Sequence, residues 1–186
     1  MKRAIIVHGF KGKPETNWKP WLKVELEAQG FIVEIPTMPN TDAPQAEEWL
    51  NQLRNTVGAF GSDEIYLVGH SLGCITILKY LETLQADEII KAAVFVAGFT
   101  KPFKEYTGAH DSFFSEEIDF LKVKEHSRNF VAIHSKDDPN VGYEELSQFE
   151  DKLDAQVVLL NGSGHFGSND GVFEVPVVRD VILNIT

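Results

Sequence analysis

One stretch of the sequence, centred on Ser71, constrains the fold more than any other. The apolar run at residues 65–68 leads into Gly-His-Ser-Leu-Gly at 69–73, and residues 72–86 then carry the spacing of a largely buried helix. A Gly-x-Ser-x-Gly pattern between a strand and a helix is typical of a sharp, strained turn that exposes the serine hydroxyl at a helix N-terminus. The glycines let strand and helix approach each other. The sequence therefore predicts a strand, a turn and a helix with a serine at the tip.

The rest of the chain alternates short apolar runs with amphipathic ones. Six apolar runs are predicted to be strands, at residues 4–7, 31–35, 65–68, 92–97, 130–134 and 156–160. Helical patterns separate them, the first opening at Pro20 and the last covering residues 175–185. This alternation predicts an α/β fold with about six mostly parallel strands and helices on both faces. We expect one domain over residues 1–186, since a chain of this length can bury a core of its own.

Two helical segments depend on weaker signals. Asp42, with Gln45 three residues later, is typical of a helix N-cap and predicts that the second helix begins there. Residues 99–128 form the least regular part of the chain, in which only residues 116–125 have a helical pattern. This segment is too short for a large cap over the sheet.

The irregular segment is rich in aromatic residues: Phe99, Phe103, Tyr106, Phe113 and Phe114. Such rings could line a pocket for an acyl group. They could equally tie an irregular segment to the core. The sequence leaves both interpretations open.

The amino-acid composition indicates which kinds of binding partner and which cellular compartment to expect. The chain has 17 basic and 28 acidic residues, a net charge of -11 that is scattered along its length, which disfavours nucleic acid and anionic membranes as partners. The single cysteine, Cys74, excludes an internal disulfide and offers no thiolate cluster for a metal. Lys2 and Arg3 precede only four apolar residues, too few for a signal-peptide core, and no run is long enough to cross a membrane. We expect a cytoplasmic protein.

Four segments with reactive residue types each follow a predicted strand: residues 8–10, the serine turn, residues 137–138 and the loop 161–167. The carboxyl ends of parallel strands meet at one edge of a sheet, so these segments are expected to lie together. Acyl transfer through a serine needs a neutral histidine to take the serine proton and a carboxylate to orient that histidine. It also needs N–H donors for the oxyanion.

Ser71, Asp138 and His165 are the predicted nucleophile, acid and base. They occur in the order Ser, Asp, His that α/β-hydrolases use. Asp137 competes with Asp138, which we favour because the residues after it give an Asp-x-x-Val spacing. Either aspartate could instead cap the helix that begins near Gly142, and Ser71 could simply cap its own helix.

His165 is the favoured base among six histidines because Gly164 and Gly167 flank it in a loop after the last strand. His134 is the nearest rival, since it ends the fifth strand, although it precedes the carboxylate loop. His70 sits inside the turn and should point away from the serine oxygen, and His8 more readily shapes the loop after the first strand. The expected oxyanion donors are the backbone N–H groups of Phe10 and Leu72.

Taken together, these motifs resemble the α/β-hydrolase fold. Within that fold, Asn-Trp-Lys-Pro-Trp-Leu at 17–22 and Asp-Asp-Pro at 137–139 resemble the small serine hydrolases that include retinoblastoma-binding protein 9 and the bacterial YdeN-like proteins. The resemblance implies a core that lacks the first two strands of the standard fold. It also implies hydrolysis of a small-molecule carboxylic ester without a cofactor.

Two other classes of protein share parts of this pattern. A catalytically silent binding module could keep the shape of the serine turn without a usable triad. A nucleotide-binding Rossmann-type domain is also a doubly wound sheet, but it calls for a glycine-rich phosphate loop after the first strand. His-Gly-Phe-Lys-Gly at residues 8–12 does not match that loop.

Overall fold

The computed structural model describes residues 1–102, 108 and 110–185. The strands are β1 (Lys2–Val7), β2 (Ile32–Glu34), β3 (Glu64–His70), β4 (Ala92–Val96), β5 (Phe130–Ser135) and β6 (Gln156–Leu160). The helices are α1 (Lys19–Glu27), α2 (Ala46–Val57), α3 (Leu72–Leu81), α4 (Phe120–Glu125), α5 (Glu145–Leu153) and α6 (Pro176–Asn184). All six predicted strands are present, and strands alternate with helices as predicted for an α/β fold.

The strands form one sheet in the order β2-β1-β3-β4-β5-β6, and every neighbouring pair is parallel. From β1 the chain steps outward to β2 and returns past β1 to β3, after which the strands continue in sequence. The strand order therefore reverses between β1 and β3. In open α/β sheets this reversal leaves a crevice outside the carboxyl ends of the two strands. Ser71 follows β3 at that crevice.

Both faces of the sheet are covered, which explains why the strands are apolar without a polar alternation. On β1, Ala4 and Ile6 belong to a core cluster that includes residues of α1 and α6. Their neighbours Ile5 and Val7 belong to the opposite cluster, with residues of α2, α3, α4 and α5. Successive residues of a strand point to opposite faces, so one strand contributes to both clusters.

The third and fourth helices are shorter than predicted. The third ends at Leu81 rather than at residue 86, because both the N–H and the hydroxyl of Thr83 donate to the carbonyl of Tyr80, at 2.9 and 2.7 Å. The fourth covers Phe120–Glu125 rather than residues 116–125. Asp119 starts it by accepting a hydrogen bond from the N–H of Lys122 at 3.1 Å.

The predicted N-cap at Asp42 is wrong. The second helix begins at Ala46 after an extended Gln45, and Asp42 lies in a preceding turn. The N–H of Ala46 donates to the hydroxyl of Ser112 at 3.0 Å. A free N–H of the helix terminus is thus satisfied by a side chain that lies 66 positions along the chain.

Three of the five aromatic residues of the irregular segment lie in the described part of the chain. Phe99 and Phe113 are buried, with 2% and 1% of their surface exposed, and Phe113 packs edge-on against Trp49 with 5.7 Å between ring centroids. Phe114 is partly buried against the same cluster. These contacts tie the segment to the core. Phe103 and Tyr106 lie outside the described residues.

No helix within residues 1–102, 108 and 110–185 is long and apolar enough to cross a membrane.

The packing of α2 predicts a large loss of stability from Leu53→Ala, because Leu53 is fully buried. We expect the free energy of unfolding to fall by about 2 to 5 kcal/mol in urea denaturation. Leu121→Ala is the matched control, since Leu121 lies on α4 with 79% of its surface exposed, and it should change stability by less than about 0.5 kcal/mol. Equal losses for the two variants would contradict this packing.

Candidate active site

The turn between β3 and α3 holds Ser71 in a strained backbone conformation. Its φ of 53° and ψ of -119° lie outside the regions that non-glycine residues usually occupy. Such a residue costs about 1 to 3 kcal/mol and persists only when its surroundings fix it. The N–H of Ser71 donates to the carbonyl of Val96 at the end of β4, at 3.0 Å. This bond fastens the turn to the sheet.

Both glycines of the motif are required by close packing. A Cβ on Gly73 would lie 2.2 Å from the carbonyl oxygen of Val7, at the end of β1. A Cβ on Gly69 would lie 2.8 Å from the backbone of Cys74. The sequence motif therefore marks the place where the start of α3 touches the backbone of two strands.

The three predicted triad residues lie in one hydrogen-bonded chain. The Ser71 Oγ is 3.0 Å from His165 Nε2, and His165 Nδ1 is 2.8 Å from Asp138 Oδ2. The Asp138 side chain has no exposed surface, whereas 18% of the His165 side chain is exposed. With its Nδ1 proton donated to the carboxylate, a neutral imidazole presents Nε2 as an acceptor for the serine hydroxyl.

Asp138, and not Asp137, contacts the imidazole. The second oxygen of Asp138, Oδ1, accepts hydrogen bonds from the N–H groups of Asn140 and Val141, at 2.8 and 3.0 Å. These bonds turn the carboxylate toward His165. Neither aspartate caps α5, whose N-cap is Glu144.

Asp137 binds the backbone of the loop that carries His165. Its Oδ1 accepts hydrogen bonds from the hydroxyl of Ser135 and the N–H of Gly162, and its Oδ2 accepts one from the N–H of Gly164. These hydrogen bonds lower the pKa of Asp137 to about 2, and the bond from the Ser135 hydroxyl has the largest effect. The adjacent aspartates therefore have different contacts: one touches the imidazole and the other the loop.

A third carboxylate, Asp170, holds the other side of the same loop. Its Oδ2 accepts the N–H of His165 at 3.1 Å and the N–H of Gly167 at 2.9 Å. Sequence reasoning missed Asp170. Its only sequence signal is that an aspartate follows a Gly-His-Phe-Gly loop at the spacing of a turn-closing residue.

The rival histidines have other contacts. His134 is fully buried with its ring 6.3 Å from that of Phe149, and burial lowers its pKa to about 4. His8 is also buried, and burial lowers its pKa. Its Nδ1 bonds the carbonyl of Gly9 at 2.9 Å, while its Nε2 accepts the N–H of Met38 at 3.2 Å. His8 thus shapes the loop after β1, as predicted.

His70 does not bond the serine oxygen. Its Nε2 lies 2.8 Å from the backbone carbonyl of His165, a contact that sequence reasoning missed. The only sequence signal was that His70 directly precedes Ser71.

The two predicted oxyanion donors follow β1 and β3. Phe10 begins the turn after β1, which the N–H of Gly12 closes on the carbonyl of Gly9 at 3.0 Å. Leu72 is the first residue of α3. Among the described residues, neither the Phe10 N–H nor the Leu72 N–H has a hydrogen-bond acceptor.

A cavity of about 320 Å³ opens beside His165. Asn17, Asn140 and Asp170 contribute to its walls. A larger cleft of about 800 Å³ lies along β2 and is lined by Val24, Val33 and other residues outside the triad. In the described ranges, no group of three or more His, Cys, Asp or Glu side chains is arranged to hold a metal ion.

The chain is similar to known proteins of one family. The serine hydrolase family model matches residues 4–184. YdeN of Bacillus subtilis (strain 168), named as a hydrolase, is 33% identical over 184 residues, which are 97% of this chain and 94% of that protein. The serine hydrolase RBBP9 of Rattus norvegicus is 25% identical over 183 residues, 97% of this chain and 95% of that protein.

Solved structures show the same fold. The crystal structure of the ydeN gene product from B. subtilis superposes with a TM-score of 0.91 at 32% identity, covering 100% of this chain and 98% of that one. The esterase domain of a Rhodothermus marinus protein superposes with a TM-score of 0.71 at 19% identity, covering 97% of this chain and 84% of that one.

The contacts of Asp137 predict a pH-dependent contribution to stability. Its pKa in the folded protein, about 2, is below the ordinary value of 3.8, so the ionised carboxylate stabilises the folded state. The contribution should be complete above about pH 5 and be lost as the pH falls through about 4 toward 2. We expect the difference in free energy of unfolding between wild type and Asp137→Asn to shrink over that range in urea denaturation.

Asp151→Asn is the control, because Asp151 is exposed on α5 outside the histidine loop. It should show no such convergence with wild type. A difference between wild type and Asp137→Asn that stays constant from pH 6 to pH 2.5 would contradict the assigned role of Asp137.

Proposed function

Since this chain belongs to the serine hydrolase family, we propose that it hydrolyses small or medium-sized carboxylic esters through an acyl-enzyme on Ser71. The observation that carries the proposal is the chain of hydrogen bonds from Ser71 Oγ to His165 Nε2 and from His165 Nδ1 to Asp138. The base is within hydrogen-bond distance of both the nucleophile and the orienting carboxylate. That is the geometry that nucleophilic catalysis by serine requires.

In the first half of the proposed reaction, His165 Nε2 takes the hydroxyl proton as the Ser71 Oγ attacks the ester carbonyl carbon. The carbonyl π electrons move to its oxygen and form a tetrahedral oxyanion. Asp138 stabilises the imidazolium that forms. The carbon–oxygen bond to the alcohol then breaks, and His165 gives its proton to the departing alcohol. The product of this half is an acyl group on the Ser71 oxygen.

The second half repeats these steps with water. His165 takes a proton from water as the water oxygen attacks the acyl carbon. The bond between the acyl carbon and the Ser71 oxygen then breaks, and His165 gives the proton to that oxygen. The carboxylic acid leaves and free Ser71 is restored. In both halves the oxyanion would accept hydrogen bonds from the N–H groups of Phe10 and Leu72. The start of α3 adds the partial positive charge of a helix N-terminus.

The net charge and the fold both bear on which class of ester the protein would hydrolyse. The net charge of -11 favours an uncharged or cationic ester over an anionic one, because the field of the protein repels anions. The fold is shared with the Rhodothermus marinus esterase domain, which makes a carboxylic ester the natural first substrate to test.

Covalent labelling tests the nucleophile. A fluorophosphonate probe should attach to Ser71 in the wild-type protein, because the probe reacts with a serine that an adjacent base activates. Ser71→Ala should abolish labelling in a gel or mass-spectrometric assay. Ser147→Ala is the control, since Ser147 is exposed on α5 outside the triad, and it should be labelled like wild type.

Absence of labelling in folded wild-type protein would contradict the proposal. That result would favour the alternative, a catalytically silent protein-binding module on the same fold.

Substitution of the two adjacent aspartates tests the assignment of the acid. With p-nitrophenyl butyrate as substrate, Asp138→Asn should lower kcat by about 10,000-fold, because the histidine loses the partner that fixes its tautomer. Asp137→Asn keeps an acceptor for the loop N–H groups and should lower kcat by less than about 10-fold. The two variants are matched in position and in chemistry. The reverse order of effects would assign the acid to Asp137.

A further inference from the structure

His70 and Ser71 are neighbours in the chain that bind the same residue at two points. Ser71 Oγ lies 3.0 Å from the imidazole Nε2 of His165, and His70 Nε2 lies 2.8 Å from the backbone carbonyl oxygen of His165. The serine turn therefore contacts both the side chain and the main chain of the proposed base. In sequence, the two partners are 94 and 95 positions away.

The direction of the His70 hydrogen bond is fixed by its acceptor. A carbonyl oxygen can only accept, so the Nε2 atom of His70 carries a proton and donates it. Burial lowers the pKa of His70 well below its ordinary value, and the neighbouring His165 lowers it further. His70 is therefore a neutral imidazole with its proton on Nε2.

Packing leaves His70 little freedom to move. It has 6% of its surface exposed, and its ring meets the fully buried ring of Trp18 edge-on, with 5.9 Å between centroids. A second ring, that of His165, lies 5.2 Å from it between centroids. The backbone of His70 ends β3, so its donor is held by the sheet itself.

The other side chains that anchor the histidine loop accept its N–H groups. Asp170 accepts the N–H of His165, and Asp137 accepts the N–H groups of Gly162 and Gly164. Among the described residues, only His70 donates to the carbonyl of His165. The hydrogen bond from His70 thus connects the carbonyl of His165 directly to the serine turn.

We propose that His70 is a positioning residue, which holds the backbone of His165 so that its imidazole stays within reach of the Ser71 hydroxyl. This inference rests on the proposed function, in which His165 is the base. Neutral His70 also suits the reaction, because His165 becomes positively charged when it takes the serine proton. A second cationic ring beside it would oppose that step.

Three variants test this role. His70→Leu removes the donor and keeps a similar volume, whereas His70→Gln keeps an N–H donor at a comparable reach. His126→Leu is the matched control, because His126 is buried with 2% exposed and its Nδ1 bonds the carbonyl of Glu88 at 2.9 Å. The carbonyl of His126 bonds Ile90, just before β4, so the control lies at the amino end of the strands.

Kinetics with p-nitrophenyl butyrate should separate positioning from stability. We expect His70→Leu to lower kcat by about 10-fold to 100-fold with KM within about 2-fold, because small displacements of a catalytic group cost rate rather than binding. His70→Gln should restore kcat to within about 3-fold of wild type. His126→Leu should lower stability and leave kcat unchanged. Wild-type kcat in His70→Leu, or a kcat in His70→Gln as low as in His70→Leu, would overturn the proposal.

A second readout does not need turnover. The Nδ1 proton that His165 donates to Asp138 should give a downfield, slowly exchanging proton NMR signal in wild type and in His70→Gln. In His70→Leu we expect that signal to be lost to exchange, because the ring is no longer held. Its retention in His70→Leu would overturn the proposal. If His70→Leu does not fold, His70→Asn, whose amide is one methylene shorter, takes its place with the same expected results.

The two readouts also distinguish failure of this inference from failure of the proposed function. If no variant and no wild-type protein hydrolyses esters or labels with fluorophosphonate, the proposed function has failed. The NMR signal then still decides the role of His70: its loss in His70→Leu supports the positioning contact, and its retention overturns it.

Discussion

The contact between the start of α3 and the end of β1 determines the geometry of the whole site. Gly73 lies so close to the Val7 carbonyl that no side chain fits between them. This approach sets the strained turn at Ser71 against the central strands, and the hydrogen bond from Ser71 to Val96 fixes it there. The serine hydroxyl is therefore part of the rigid sheet edge. Asp138 and His165 have to be brought to it by loops.

Much of the fold could be predicted from the sequence because buried parallel strands have a strong and local signal. The predicted β6 matches the observed Gln156–Leu160 at both ends. The start of the second helix was harder to predict, because its partner is not local. The N–H of Ala46 is satisfied by Ser112, and no short-range pattern around Asp42 could indicate a partner on a distant segment.

In the candidate site, too, local features could be predicted from the sequence and contacts between distant segments could not. Residue type, order and position after a strand were enough to select Ser71, His165 and an aspartate, which the structure brings within hydrogen-bond distance. Adjacent side chains point in different directions, so the sequence could only state a preference between Asp137 and Asp138. For His70 the sequence predicts only that its side chain points away from the serine oxygen. Its contact is to a backbone carbonyl, and such a contact depends on how a distant loop folds back.

The flexibility of the loop that carries His165 explains why several side chains bind its backbone. Gly164 has a φ of 48° and Gly167 lies two residues after His165, so the loop has little intrinsic stiffness. Fixing one residue costs about 1 to 2 kcal/mol of conformational entropy. A buried hydrogen bond contributes about 0.5 to 1.5 kcal/mol, so a single bond does not hold such a residue in place. Contacts to both the N–H and the carbonyl of His165 can offset that cost, and they leave the imidazole oriented before a substrate arrives.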